Sequence, residues 1–175
     1  IERHEILRTS FTVINEEPVQ RVHDHVEFDV EAITADTANG EVPDIGALYR
    51  EFIRPFDLTL APLLRAALLQ WREEWFLLVD MHHIISDGES AVVLEKEFIE
   101  LYNGVEPESL RLQYKDYAVW QAERIARGEI GSQGDYWLDR FSGDVPVLDL
   151  PYDFTRPPVQ QFDGASESFL LDTDT

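Results

Sequence analysis

Hydrophobic positions in this sequence change period several times, and each change marks an element. Residues 7–13 are rich in β-branched and aromatic side chains and predict a strand. Asn15, Glu16, Glu17 and Pro18 supply turn chemistry and residues 19–22 run back, which predicts a β-hairpin. A further strand is expected over 26–33, then a polar loop over 34–43. Ile45, Leu48, Tyr49, Phe52 and Ile53 recur at helical spacing over 44–54, with Asp44 as N-cap after Pro43 and Pro55 as the stop.

Residues 64–71 predict a buried strand, Glu73 and Glu74 a turn, and residues 75–83 its antiparallel partner. The near-continuous apolar character of this partner argues for a central strand of a covered sheet. The clearest helix is expected over 87–102, with Ala91, Val92, Leu94, Phe98, Ile99 and Tyr102 on a core-facing side and Gly104 as the stop. Helices are also expected over 114–127 and 134–141, a Pro-containing extended stretch over 145–162, and a last strand over 166–171. No internal repeat or low-complexity tract interrupts this order. The sum is an α/β (α+β) domain with a mainly antiparallel sheet flanked by helices.

The length of 175 residues suits one ordinary domain, and 44% apolar residues are enough for a packed core. No stretch is long and apolar enough to span a membrane, and the start carries no signal-peptide pattern. Cysteine is absent, so disulfides and cysteine ligands are excluded, which is compatible with a cytoplasmic setting. The balance of 14 basic against 35 acidic residues gives −21, a surface that repels phosphate backbones, so no nucleic-acid partner is expected. The chain opens without Met on a strand-like segment and ends just after an apolar run, as expected of a piece of a longer chain.

Candidate chemistry concentrates in Met81-His82-His83-Ile84-Ile85-Ser86-Asp87-Gly88. Two histidines close a strand, a short turn follows, and Asp-Gly opens a helix; such junctions hold side chains rigidly at a sheet edge. In a regular strand His82 and His83 point to opposite faces, leaving one for the core and one for chemistry. Asp87 is favoured as a carboxylate by the helix N-terminus, and Gly88 permits close backbone approach. A histidine at a strand end is more often a hydrogen-bonded structural residue than a catalyst, but the pair followed by Asp-Gly raises the functional reading. A metal site from His83 and Asp87 is the weaker reading, because the opposed histidines spoil a cluster and no HExxH helix is present. A Ser-His-Asp hydrolase lacks its G-x-S-x-G elbow around Ser86.

The segment from His82 to Gly88 resembles the HHxxxDG signature of condensation domains of non-ribosomal peptide synthetases and of their chloramphenicol acetyltransferase-like relatives. Three further segments resemble condensation-domain motifs in the same order. Arg3-His4-Glu5-Ile6-Leu7-Arg8-Thr9-Ser10-Phe11 is similar to RHExLRTxF, and Tyr114-Lys115-Asp116-Tyr117-Ala118-Val119-Trp120-Gln121 to YxDYAVWQ. Leu150-Pro151 through Arg156-Pro157, with Phe162 and Gly164, is similar to the Pro-rich stretch beyond them. Phe56-Asp57-Leu58 followed by Ala61-Pro62-Leu63-Leu64-Arg65 is also typical. Glu89 departs from the pattern, where bulky or apolar residues are frequent, and Ser90 fits again.

The resemblance implies a chloramphenicol acetyltransferase-like fold, a two-layer α/β sandwich, with residues 1–175 as the N-terminal lobe, incomplete at its start and lacking the C-terminal lobe. The implied reaction is peptide-bond formation between two carrier-bound thioesters. No cofactor or metal is expected to bind the lobe directly, since substrates ride on the 4′-phosphopantetheine arms of carrier domains. Upstream and downstream carriers, the second lobe and an adenylation domain are the implied partners. Positioning of two tethered reactants can supply effective molarities of ~10⁵–10⁸ M. His83 is the implied catalytic residue, as general base or as a group that orients the amine, and an imidazole with an ordinary pKa near ~6.5 suits either task. His82 braces the strand. Asp87 is expected to pair with Arg3 or Arg8, so that Asp87→Asn damages folding as well as activity. Tyr114, Tyr117 and Trp120 are expected to pack.

Other readings stay open: a coenzyme A-dependent acyltransferase or an epimerisation domain of the same superfamily, or a non-catalytic docking lobe. The fragment alone is expected to be inactive. The Met-His-His-Ile-Ile-Ser-Asp-Gly wording leans toward an L-configured donor.

Overall fold

Local turn chemistry sets the first element. The computed structural model describes residues 1–35, 43–161 and 169–170. A short 3₁₀ turn, Glu5–Arg8, leads into β1, Thr9–Ile14, so the strand starts two residues later than the expected 7. The Thr9 hydroxyl donates to the Glu5 carbonyl at 2.7 Å and closes that turn. Asn15 and Glu16 both take positive φ, as a two-residue primed hairpin turn requires, and β2, Glu17–Val22, pairs antiparallel with β1.

A second sheet has the order β3–β4–β5, built from Val30–Thr34, Leu64–Trp71 and Glu74–Met81. β3 runs parallel to β4, whereas β4 and β5 form an antiparallel hairpin, so two of the three ladders are antiparallel. The hairpin turn sits at Arg72 and Glu73, one residue earlier than expected, with Arg72 at positive φ. β4 is the central strand. β5 lies at the edge of the described sheet, contrary to the expectation of a central position, and its Trp75 and Leu77 are exposed.

Helix α1, Ile45–Phe52, is capped by Asp44, whose side chain accepts the Ala47 N–H at 2.9 Å. It covers one sheet face: Phe52 is buried with Ala67, Leu69 and Leu78, against Ile33, Leu48 and Tyr49. The Tyr49 hydroxyl donates to the Val79 carbonyl at 3.0 Å. The other core cluster is Leu7, Leu63, Leu64 and Ile85, with Phe11, Phe56, Met81 and Leu94 packed on it.

Helix α2, Gly88–Tyr102, departs from its expected packing. Its partly buried residues are Leu94, Glu97 and Glu100, while Val92, Phe98, Ile99 and Tyr102 are exposed. The apolar stripe therefore does not enter the core of the described residues. Helix α3, Tyr114–Ala126, ends at Arg127, and Gly128 follows at positive φ. Tyr114, Tyr117 and Trp120 form a ladder of ring contacts but are half exposed, rather than packed in a core.

Residues Ile1–Ile130 form one compact unit and Gly131–Thr175 a second. In the second, α4, Gly131–Arg140, starts three residues earlier than expected, and residues 143–161 hold no helix or strand. The strand expected over 166–171, and Phe162 and Gly164, fall outside the described residues apart from 169–170. Among the described residues no helix is long and apolar enough to cross a membrane.

Candidate active site

β5 stops at Met81, so the two histidines are not strand residues, which corrects the expected span of 75–83. The His82 N–H still donates to the Leu63 carbonyl at 3.0 Å, one residue before β4. Its carbonyl then turns inward, accepting the Ile85 N–H at 3.1 Å and the Ser86 hydroxyl at 3.3 Å. These bonds break the ladder and fold residues 83–85 into a turn. Ile85 is buried beside Leu7, Leu63 and Leu64 and pins the turn to the core.

The two rings meet different surroundings. His82 is half-buried; its Nδ1 accepts the Ile84 N–H at 3.0 Å, which leaves the ring proton on Nε2. The Phe56 ring stands edge-on to it, with centroids 6.2 Å apart and planes at 84°. His83 is exposed, and no group among the described residues hydrogen-bonds its ring.

Asp87 is the N-cap of α2. Its Oδ1 accepts the Ser90 hydroxyl at 2.6 Å and the Ser90 N–H at 2.8 Å. The hydroxyl and then the N–H hold the carboxyl below its ordinary value, with a further contribution from the charge of His83. The expected ion pair with Arg3 or Arg8 is not formed among the described residues. Arg3 Nε lies 3.0 Å from Glu97 Oε2, a carboxylate ~15 Å further along α2 by helix rise. Arg8 donates to the His23 carbonyl and lies 3.5 Å from Glu5. Gly88 opens α2, and a Cβ added there would meet no atom of the described residues within 4 Å.

Residues 3–5 instead clamp two helices. Glu97 also meets His4 Nε2 at 2.6 Å. Burial opposes the charge of Glu97, but its bonds to Arg3 and His4 outweigh burial and hold the carboxyl below its ordinary value. Gln113, just before α3, accepts the Glu5 N–H at 3.1 Å and donates to the Arg3 carbonyl at 2.9 Å. Lys115 reaches Glu5 at 2.6 Å. Neither Glu97 nor Gln113 carried any local signal in the sequence, because both partners lie about a hundred residues away.

A cleft of about 480 Å³ is lined by Ile53, Phe56, Asp80, Met81, His82 and His83. A neighbouring one of about 400 Å³ is lined by His4, Met81, Ile85, Asp87, Ser90 and Leu94. A larger cavity, about 1100 Å³, involves Arg3, Arg8, Asp24 and Phe28 but none of residues 82–88. Among the described residues no group of three His, Asp or Glu stands together as a metal site.

The family model for the condensation domain matches residues 1–175. The chain belongs to the condensation domain family. It is 49% identical over 173 residues to tyrocidine synthase 3 of Brevibacillus parabrevis, an alignment covering 98% of this chain and 3% of that protein. It resembles the solved X-domain from teicoplanin biosynthesis at 30% identity and a TM-score of 0.72, over 89% of this chain and 36% of that one. It resembles the condensation domain from monacolin K polyketide synthase at 25% identity and a TM-score of 0.70, over 90% of this chain and 37% of that one. Condensation domains therefore share this mixed, mainly antiparallel α/β fold. The chain spans a few per cent of the curated synthases it matches and about a third of the solved chains.

Proposed function

We propose that this chain is the N-terminal lobe of a domain that forms peptide bonds between two carrier-bound thioesters. The observation that carries the reading is the division of labour in the His82–His83 pair. One ring is committed to the backbone; the next is exposed, its nitrogens without a hydrogen-bond partner among the described residues, at the rim of a cleft. The family match supports condensation as the reaction that uses it.

The acceptor amine nitrogen bonds to the donor carbonyl carbon and the donor C–S bond breaks. The leaving thiolate stays on the donor's phosphopantetheine arm and takes up the proton that the amine gives up. His83 receives or relays that proton, or orients the amine that loses it. Asp87 fixes the junction of turn and helix, Gly88 leaves room beside it, and Arg3 and Arg8 secure the segment under α2. Upstream and downstream carriers, a C-terminal lobe and an adenylation domain complete the machinery, and the lobe alone is inactive.

The test uses the full-length protein with one carrier loaded with a donor aminoacyl group and another with an acceptor. Dipeptidyl thioester is followed by mass spectrometry, with His83→Ala as comparison. Product from the parent and little from a folded His83→Ala is the expected result. No dipeptide from a folded parent across several donors overturns the reading in favour of epimerisation, coenzyme A-dependent transfer or a silent docking lobe.

A further inference from the structure

A stack of three side chains leads from the sheet to the histidine turn. Arg65 on β4 and Asp80 on β5 are directly cross-strand, and both are largely buried, at 13% and 14% side-chain exposure. Arg65 Nη1 lies 3.1 Å from Asp80 Oδ2, yet that oxygen accepts no hydrogen bond and is closed to solvent. The guanidinium N–H groups point elsewhere, to the Arg54 carbonyl at 2.5 Å and more weakly to the Pro55 carbonyl at 3.4 Å. The pair is thus held by charge, while the directional bonds grip the segment that follows α1. Arg65 Cζ also sits 3.7 Å from the centroid of the Phe56 ring. That ring stands edge-on to His82.

We propose that Arg65 is a positioning residue for the histidine turn, acting through Phe56. The guanidinium fixes the Phe56 plane from one side and its backbone through the two preceding carbonyls. Phe56 then limits the rotation of the His82 ring. Only in that orientation does His82 Nδ1 meet the Ile84 N–H, and that bond shapes the turn which presents His83. Asp80, which lines the cleft together with Phe56, His82 and His83, balances the charge of Arg65 so that the cation can stay against the Phe56 ring. Lysine in place of Arg65 would keep the charge but not the planar fork that binds carbonyls and stacks at once. The proposal rests on the reading of His83 as the reacting histidine.

Two measurements on the full-length protein test it, one of which does not depend on catalysis. Diethyl pyrocarbonate acylates unprotonated imidazole nitrogens, and peptide mapping reads each histidine separately. Arg65→Met and Phe56→Leu are expected to raise the labelling rate of His82 about threefold or more, with His4 and His23 unchanged as internal controls. In the carrier assay Arg65→Met is expected to lower kcat by roughly 10- to 100-fold, the scale of a reacting group displaced by about 1 Å, with KM for either loaded carrier within about twofold. Arg65→Lys should recover part of kcat, and Phe56→Leu added to Arg65→Met should lower it little further. Where Arg65→Met leaves Asp80 unpaired and the protein fails to fold, Arg65→Met with Asp80→Leu removes both charges, and the same His82 and kcat changes are expected. Unchanged His82 labelling with kcat near the parent's in a folded variant overturns the proposal. So does a rise in the labelling of all three histidines together, which marks general loosening. A parent that makes no dipeptide while His82 labelling responds as expected refutes the condensation reading and leaves the positioning of His82 standing.

Discussion

His82 Nδ1 accepts the Ile84 N–H at 3.0 Å, and this bond separates the work of two adjacent histidines. The engaged Nδ1 commits one side of the His82 ring to the turn, and on the proposed reading His83 is the histidine that meets substrate. An asparagine side chain can accept the N–H two residues on, as in an Asx turn. His82→Asn should therefore retain the turn and an intermediate rate of dipeptide formation. His82→Ala frees the Ile84 N–H, lowers stability by about 1 kcal/mol and reduces the rate about tenfold or more. Thermal melts and dipeptide yields of the two variants check this; identical behaviour of the two counts against the bond.

Asp87 gives a second test, because an N-cap and a buried ion pair respond differently to the same substitution. Asparagine caps a helix as well as aspartate, whereas it cannot replace a carboxylate paired with arginine. Asp87→Asn is expected to melt within about a degree of the parent at neutral pH, and Asp87→Ala a few degrees lower. The Asp87 carboxyl is held below its ordinary value of 3.8 by the Ser90 hydroxyl and N–H. A depressed carboxyl contributes stability that is fully present above the unfolded value and is lost as pH falls through the folded one. The gap between parent and Asp87→Asn should therefore open only below about pH 4, and a large gap at pH 7 would restore the ion-pair reading.

Elements carried by a local pattern were legible in the sequence. β4 coincides with its expected bounds because both its ends are marked by turn residues, and Asp44 caps α1 where its spacing places it. The failures share a cause, which is dependence on partners far along the chain. The parallel pairing of β3 with β4 has no period of its own. The side of α2 that turns inward follows from Arg3 and His4 holding Glu97, not from where its apolar residues are densest. The histidines belong to a turn because the His82 carbonyl bonds forward to Ile85, a choice that an apolar run through Met81 does not reveal. The family motifs implied a partner for Asp87, and the pairing of Arg3 and Arg8 differed from what they implied.

Glu97 is the hub of the clamp between residues 3–4 and α2. Its side chain is 14% exposed, so removal of the carboxylate leaves two cationic or polar partners short of an acceptor. Glu97→Ala is expected to lower stability by about 1–3 kcal/mol, read from denaturant midpoints at constant m. Glu97→Gln should lose less, because its carbonyl oxygen can still accept from Arg3. Since this carboxyl is held below its ordinary value of 4.5, the contribution is present above that pH and lost on acidification through the depressed value. A parent and Glu97→Ala that differ equally at pH 7 and pH 3 would show that packing, not the charged bonds, makes the clamp.

Gly88 poses the opposite problem, a residue whose identity nothing among the described residues requires. Its φ is not in the left-handed region, and a Cβ would meet no atom of the described residues within 4 Å. Glycine in a helix is less favourable than alanine by up to ~1 kcal/mol, so its presence at the first position of α2 is a small cost without an internal return. On the proposed reading, a thioester-bearing arm reaching His83 passes close to this backbone. Gly88→Ala is expected to melt at or slightly above the parent while dipeptide formation falls about tenfold, and Gly88→Val to fall further at similar stability. The opposition of the two readouts is the diagnostic: a structural glycine would lose both together, and a substrate-facing one loses only the rate. Full activity in a folded Gly88→Val would place the path of the arm on another side of the turn, away from the helix start.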